Sequence, residues 1–154
     1  MKITLFYVGK KHDIDVKNFI DKYYKKINLF TRFNIVAIKP SRLNKALEKQ
    51  KEEMKEILKF IKEKDIVVLF DENGKDVDSV QFAKKVQDIS ENSFSHIKLF
   101  IGGAYGFHSD LLKLNFKKIS LSNFVFAHKI ALIVVLEQLY RCFTIIHNHP
   151  YHHD

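Results

Sequence analysis

The sequence predicts an α/β fold built on a mostly parallel sheet. Three observations lead there. Apolar runs of strand length alternate along the whole chain with amphipathic stretches of helical period. The strongest run, DIVVLFD at 65–71, is nearly continuous in apolar character, the pattern of a strand covered on both faces. Three of the five glycines fall within IGGAYGF, directly after another such run, where an open α/β sheet offers the carboxyl ends of its strands to ligands.

In chain order, ITLFYVG (3–9) reads as a first strand buried on both sides. From Asp15 to Phe30, Val16, Phe19, Ile20, Tyr23, Tyr24 and Ile27 recur at helical spacing, with Lys22, Lys25 and Lys26 turned outward. FNIVAIK (33–39) alternates like a strand, is closed by Pro40 and completes a βαβ unit. KALEKQKEEMKEILKFIKEK (45–64) forms a charged helix with Leu47, Met54, Ile57, Leu58 and Ile61 on one stripe and Glu and Lys spaced for i,i+4 pairing. DIVVLFD then ends at an Asn73-Gly74 turn. SVQFAKKVQDIS (79–90) resumes helical period, and HIKLFIGG (96–103) gives another strand. SLSNFVFAH (120–128) reads as a strand and helix cap. The run from Lys129 to Ile146 is apolar almost all round, with Glu137, Gln138 and Arg141 as its main polar positions, so this helix is expected to pack against a second subunit. No repeat, low-complexity tract or linker interrupts the pattern, and residues 1–154 are expected to form one domain.

The bulk properties narrow the function. A lone cysteine, Cys142, excludes an intramolecular disulfide and a Cys-rich zinc ribbon and fits a reducing compartment. The opening apolar run is too short for a signal peptide and no stretch approaches membrane-spanning length, which reads as a soluble cytoplasmic protein with no membrane partner. The formal net charge of +8 is unevenly placed: residues 1–66 carry 17 Lys+Arg against 9 Asp+Glu, and the remainder is balanced. Such asymmetry suits a polyanion such as RNA, because phosphate contacts release condensed counterions, although solvated lysine-rich helix faces would look the same.

Few residues advertise chemistry. IGGAYGF matches neither the dinucleotide fingerprint nor a P-loop and is equally readable as a tight structural turn. Ser120 and Ser122 lack the setting of a nucleophile elbow. The chain ends in HNHPYHHD, which holds four of its eight histidines. Without thiolate or carboxylate company they form a weak zinc site, and Asn148, Pro150 and Tyr151 interrupt them too often for an expression tag.

Taken in order, IGGAYGF, SLSNFVFAH, EQLYRCFTI and NHPYHH, together with the opening MKITLFYVGK, resemble the RlmH family over essentially the whole chain. These are SPOUT-class methyltransferases that methylate N3 of a pseudouridine in bacterial 23S ribosomal RNA, acting on assembled ribosomes. The resemblance implies an alpha/beta-knot fold with a deep C-terminal trefoil knot, a feature that general topology rules disfavour. It also implies a homodimer and S-adenosylmethionine as cofactor. Carried over by position, the cofactor contacts fall on Phe70, Gly102, Leu121, Ser122, Asn123, Phe124, Val125 and Phe126. The terminal Tyr-His of the family corresponds to Tyr151 and His152, expected to complete a partner subunit's site. An imidazole of ordinary pKa, ~6.5, can take the N3 proton at neutral pH; Tyr151 would orient the base and Arg141 would clamp a phosphate or base oxygen.

The chain departs from the family pattern at Phe70 (usually leucine), Ala127 (usually proline) and Leu132 (often arginine), the last removing one RNA contact. Two other readings compete: a SPOUT enzyme acting on ribose 2′-O of transfer RNA, and a non-catalytic RNA-binding dimer with a metal on its histidines.

Overall fold

The computed structural model describes residues 1–10, 14–92 and 96–153. Among them the chain runs β1 (Lys2–Val8), α1 (Ile14–Ile27), β2 (Arg32–Ile38), α2 (Ala46–Leu58), β3 (Ile66–Asp76), α3 (Ser79–Asn92), β4 (His96–Ile101), α4 (Ser109–Leu112), β5 (Lys117–Ser120) and α5 (His128–Ile146). The five strands make one sheet in the order β2-β1-β4-β3-β5, and every pairing is parallel. The α/β expectation therefore holds, and the sheet is more uniformly parallel than expected.

Both faces of the sheet are covered, which is why β1, β3 and β4 read as unbroken apolar runs. On one face α1, α3 and α5 close over Ile3, Leu5, Val68, Ile97 and Leu99. On the other, α2 and α4 bring Ile57 and Leu111 against Phe6, Leu69 and Phe100. At the amino ends of the strands the buried ion pair Lys98–Asp65 (2.7 Å) ties β4 to the start of β3. Burial opposes the Asp65 charge, but Lys98 and the Lys62 N–H outweigh it and hold the carboxyl below its usual range. The glycine-rich loop after β4 lies at the opposite end.

Three local expectations are corrected, and the basis of a fourth changes. The second helix stops at Leu58, short of residue 64, because the chain turns there: Phe60 N–H bonds Ile57 O at 3.0 Å and Lys62 N–H bonds Asp65 Oδ2 at 2.6 Å. The third strand does not end at Asn73-Gly74. It continues to Asp76 through a bulge, so that both Phe70 and Lys75 face Ile119 of β5. SLSNFVF is not a strand; the strand is the four residues before Leu121, and 121–127 is a loop. Its alternation of small and apolar residues mimics strand period, but the edge it could have paired with is already occupied by Lys117–Ser120. Finally, α5 spends most of its apolar surface inside its own chain, burying Ala131, Leu132, Val135, Leu136, Leu139, Cys142 and Phe143. Its greasiness alone therefore does not require a second subunit. Cys142 is fully buried, and burial pushes its thiol up to about 12, which leaves it an unreactive core side chain.

The bulge explains why a glycine stands at position 74. A Cβ there would lie 2.6 Å from the backbone N and C of Ile119, atoms that cannot swing aside. Gly74→Ala is expected to cost about 1–3 kcal/mol, as overpacking does. Urea unfolding should show a lowered midpoint at unchanged slope; an unchanged midpoint would mean that the bulge lifts off β5 freely.

Candidate active site

A cavity of about 620 Å³ opens at the carboxyl ends of β3 and β4 and is walled by the 102–107 and 121–127 loops and the first turn of α5. That size is ordinary for a cofactor site. Each wall has a local cause. Glycine 106 adopts φ +72° and Gly106 N–H bonds Gly103 O at 3.0 Å, so the IGGAYGF loop doubles back tightly. Two side chains of α2 brace it from behind. Gln50 Nε2 donates to Tyr105 O at 2.6 Å and to Phe107 O at 3.4 Å. Glu53, 4% exposed, presses so closely on Gly103 that a Cβ there would sit 2.7 Å from its Oε1. Its Oε2 accepts from Ser41 N–H at 3.1 Å, and burial raises its pKa despite that bond and the charge of Lys49.

The opposite wall is the 121–127 loop. Ser120 Oγ donates to Ser122 O, and Ser122 Oγ accepts from Phe124 N–H at 3.0 Å, so the serines shape backbone and do no chemistry. Leu121, Ser122, Phe124, Val125 and Phe126 line the cavity, as do Phe70 and Gly102. Asn123 does not line it, although its neighbours do. The rim carries Asp71 and Glu72 from the β3 bulge and His128 from the start of α5. Sequence reasoning missed Gln50, Glu53, Asp71, Glu72 and His128; only Glu53, a carboxylate between Gln50 and Ile57 on the apolar stripe of α2, left a trace in the pattern.

The C-terminal residues assemble elsewhere. After α5 the chain reverses through Asn148 at φ 52°, with His149 N–H on Thr144 O at 2.8 Å, and lays the tail back along the helix. Arg141 is the hub: Nη2 and Nε bond Glu137 Oε1 at 2.5 and 3.0 Å, Nη1 bonds His152 Nδ1 at 3.1 Å, and the guanidinium lies 4.9 Å from the Tyr151 ring centroid. Tyr151 donates its hydroxyl to Glu137 Oε1 at 3.2 Å and meets Tyr140 edge-on at 4.7 Å. Burial, the Tyr23 hydrogen bond and the charge of Glu137 push that hydroxyl up to about 12, so Tyr151 is neutral at physiological pH. A guanidinium has no lone pair, so Nδ1 of His152 must accept, which puts the proton of the neutral ring on Nε2.

Tyr151, His152 and Arg141 are thus brought together, with Glu137 as an unforeseen fourth member, but none of them lines the cavity of its own chain. Ala131, on the cavity wall, and Arg141 are ten residues apart on α5, about 15 Å along the helix axis. Elsewhere in the tail, His147 meets Phe30 at 5.0 Å with the rings tilted by 41°, and donates Nδ1–H to Phe143 O at 2.9 Å. Among the described residues no group of three or more His, Cys, Asp or Glu gathers as a metal site would require, and no helix is long and apolar enough to cross a membrane. Leu132 is 2% exposed and packed in the core of the α1–α3–α5 face.

An all-parallel sheet with an acid-rimmed cavity at its carboxyl edge and glycine-rich backbone on one wall is an arrangement that suits a nucleoside-type ligand. The chain belongs to the SPOUT methyltransferase family: the model described as "Predicted SPOUT methyltransferase" matches residues 1–152. It is 37% identical to the Ribosomal RNA large subunit methyltransferase H of Flavobacterium psychrophilum, over 100% of both chains. It is 39% identical to the protein of the same name from Bdellovibrio bacteriovorus, over 99% of both. Among solved structures it is similar in fold to a probable methylase family protein from Haemophilus influenzae, with a TM-score of 0.53 and 13% identity, covering 99% of this chain and 70% of the other. It is accordingly a methyltransferase, of a family that uses S-adenosylmethionine in general.

The Glu53 brace makes a checkable statement about pH. A carboxyl whose folded pKa is raised is disfavoured as an anion in the folded chain, so it costs stability above its unfolded value of 4.5 and costs nothing below it. Glu53→Gln keeps an acceptor for Ser41 N–H and removes the charge. It should raise the thermal midpoint at about pH 8 and leave it unchanged near about pH 4. Equal destabilisation at both would show that the carboxylate's charge is not what burial opposes.

Proposed function

We propose that this protein transfers a methyl group from S-adenosylmethionine to N3 of a pseudouridine in 23S ribosomal RNA, working as a homodimer on assembled ribosomes in the cytoplasm. The observation that carries the reading is the full-length match to relatives named as large-subunit ribosomal RNA methyltransferases; a cavity at the carboxyl ends of the strands supports it.

The residues present fit the cofactor. Backbone at Phe70, Gly102, Leu121, Ser122 and Phe124 to Phe126 would hold its adenosine and methionine parts, with Asn123 only joining the two halves of the loop. Asp71 and Glu72 offer negative charge to a cationic group, and Gly103 gives close backbone approach. When bound, the cofactor supplies a methyl already activated on a positive sulfur. The protein must then align the base with it and remove the N3 proton.

The tail residues divide that work. Arg141 holds His152 through Nδ1, the nitrogen that would accept the proton. With the guanidinium turned to a phosphate or base oxygen, Nδ1 would be released to take the N3 proton, leaving N3 to receive the methyl group that the sulfonium gives up. Tyr151, kept neutral, anchors the tail through Glu137 and orients the base by its hydroxyl and ring edge. Its ring packs against Tyr140 on one side and Arg141 on another, so stacking on the flipped base is not its main role.

The separation of tail and cavity supports the dimer, because a second copy has to bring Tyr151 and His152 to the reacting base. Phe124 and Val125, which are 80% and 82% exposed on the cavity wall, give that copy an apolar seat. We also take the C-terminal part to be threaded as a trefoil knot, a reading supported by membership of the SPOUT family.

Methyl-labelled S-adenosylmethionine and assembled ribosomes lacking the modification test the proposal directly, with the label located by mass spectrometry of RNA fragments. Label on a large-subunit pseudouridine base is expected; label on a transfer-RNA ribose, or tight zinc binding without cofactor binding, would replace the reading. His152→Ala should lower kcat by about 10²–10⁴-fold, the usual worth of general base catalysis, with cofactor affinity unchanged. Wild-type rates for both His152→Ala and Tyr151→Phe would remove the tail from the mechanism. Gln50→Met, which deletes the donor to Tyr105 O and Phe107 O, should instead weaken cofactor binding measured by calorimetry and leave the circular dichroism spectrum unchanged. Wild-type affinity in that variant would show that the brace does not shape the cavity.

A further inference from the structure

We propose that Lys22 and Lys26 of α1 form, beside the C-terminal tail, the surface that receives the phosphate backbone of the RNA. The phosphates therefore sit on the subunit that donates the tail rather than at the cavity that holds the cofactor. The inference rests on the RNA-methylating reading above and adds to it where the substrate is gripped.

Helix α1 lies against α5 and runs in the same direction. Asp15 near its start is 4.0 Å from Lys129 near the start of α5, Tyr23 meets Tyr140 at 6.1 Å, and Phe30 stacks on Phe143 at 6.0 Å beyond its end. The last turns of α1 are thereby placed next to the tail. Lys26 Nζ stands 4.7 Å from the Tyr140 ring centroid and 5.8 Å from that of Tyr151, while Lys22 Nζ stands 5.9 Å from the Tyr23 ring. Phe19, 46% exposed, precedes Lys22 by three residues, so an aromatic ring and two ammonium groups share one stripe of the helix.

The charges in this stripe are not neutralised from within. Lys22 and Lys26 are one turn apart and oppose each other, a pairing that helices avoid unless something else uses it. No ion pair joins either to a carboxylate among the described residues. Asp15 faces Lys129, and Glu137 is engaged by Arg141, Gln138 and Tyr151. Asp21 adjoins Lys22 in sequence, and neighbours in sequence do not face each other on a helix. At the other end of α5 the cavity rim carries Asp71 and Glu72, which would repel a phosphate backbone. The field therefore points a polyanion towards the tail, leaving only the base to reach the cofactor, and an unstacked loop nucleotide beside Phe19 and Tyr151 has aromatic edges to meet.

The test is the salt dependence of binding by the full-length protein to assembled ribosomes and to a synthetic stem–loop RNA. Losing two single-strand phosphate contacts should reduce the slope of log K against log salt by about 1.4 in Lys22→Gln/Lys26→Gln, and by about half that in Lys22→Gln alone. Lys26→Arg should keep the wild-type slope, and calorimetric affinity for S-adenosylmethionine should stay within about twofold in every variant, since none touches the cavity. Wild-type slope in the double variant overturns the surface and leaves the methyltransferase reading intact. A double variant that loses RNA and cofactor affinity together also overturns it, because the lysines then support the fold and not the substrate. A wild-type protein that binds neither RNA overturns both readings.

Discussion

The contact between the β3 bulge and the backbone of β5 decides where everything else in the active site stands. Phe70 and Lys75 both face Ile119, and the intervening residues fit only because Gly74 has no side chain to meet the Ile119 backbone. That arrangement pushes Asp71, Glu72 and Asn73 out over the sheet edge, where they become the acidic rim of the cavity. It also sets the point from which the 121–127 loop departs, and so the position of the wall opposite the glycines. A strand that ended in an ordinary turn would leave the cavity open on that side.

Helix α5 carries the consequence across the molecule. Its first turn closes the cavity with His128 and Ala131, its middle fills the core, and its last turns hold Glu137, Arg141 and the returning tail. One rigid rod thus separates the cavity wall at Ala131 from Arg141 and the returning tail by about 15 Å. That distance is the reason a second copy enters the proposed mechanism.

The electrostatics follow the same division. Carboxylates gather at the cavity end, on the side proposed for a cationic cofactor, and the ammonium groups of Lys22 and Lys26 lie by the tail, on the side proposed for a polyanion. The sequence shows only that the positive excess lies before residue 67. The parallel packing of α1 on α5 turns that excess into a directed surface.

Element type was legible because burial dictates it. A strand covered on both faces has to be apolar throughout, and a helix covered on one side has to be apolar every third or fourth residue, so β1, β3, β4, α1 and α3 could be read from their own residues. Most of the cavity wall was legible too, though through likeness to a family, since backbone that binds by its path leaves no chemical signature in side chains. What sequence alone could not supply were relations between distant segments. Gln50 reaches Tyr105 across 55 positions, and the pull of Glu53 on Gly103 or Lys26 on Tyr151 exists only once helices pack. The strand at Lys117–Ser120 went unseen because four residues are too few to establish a period, and it is the free edge of β3, not its own composition, that makes it a strand. Local pattern is set by which side of a segment meets water, and the sequence carries that in full. Which segment meets which other is settled by packing, and packing alone put the tail at the far end of α5 from the cavity.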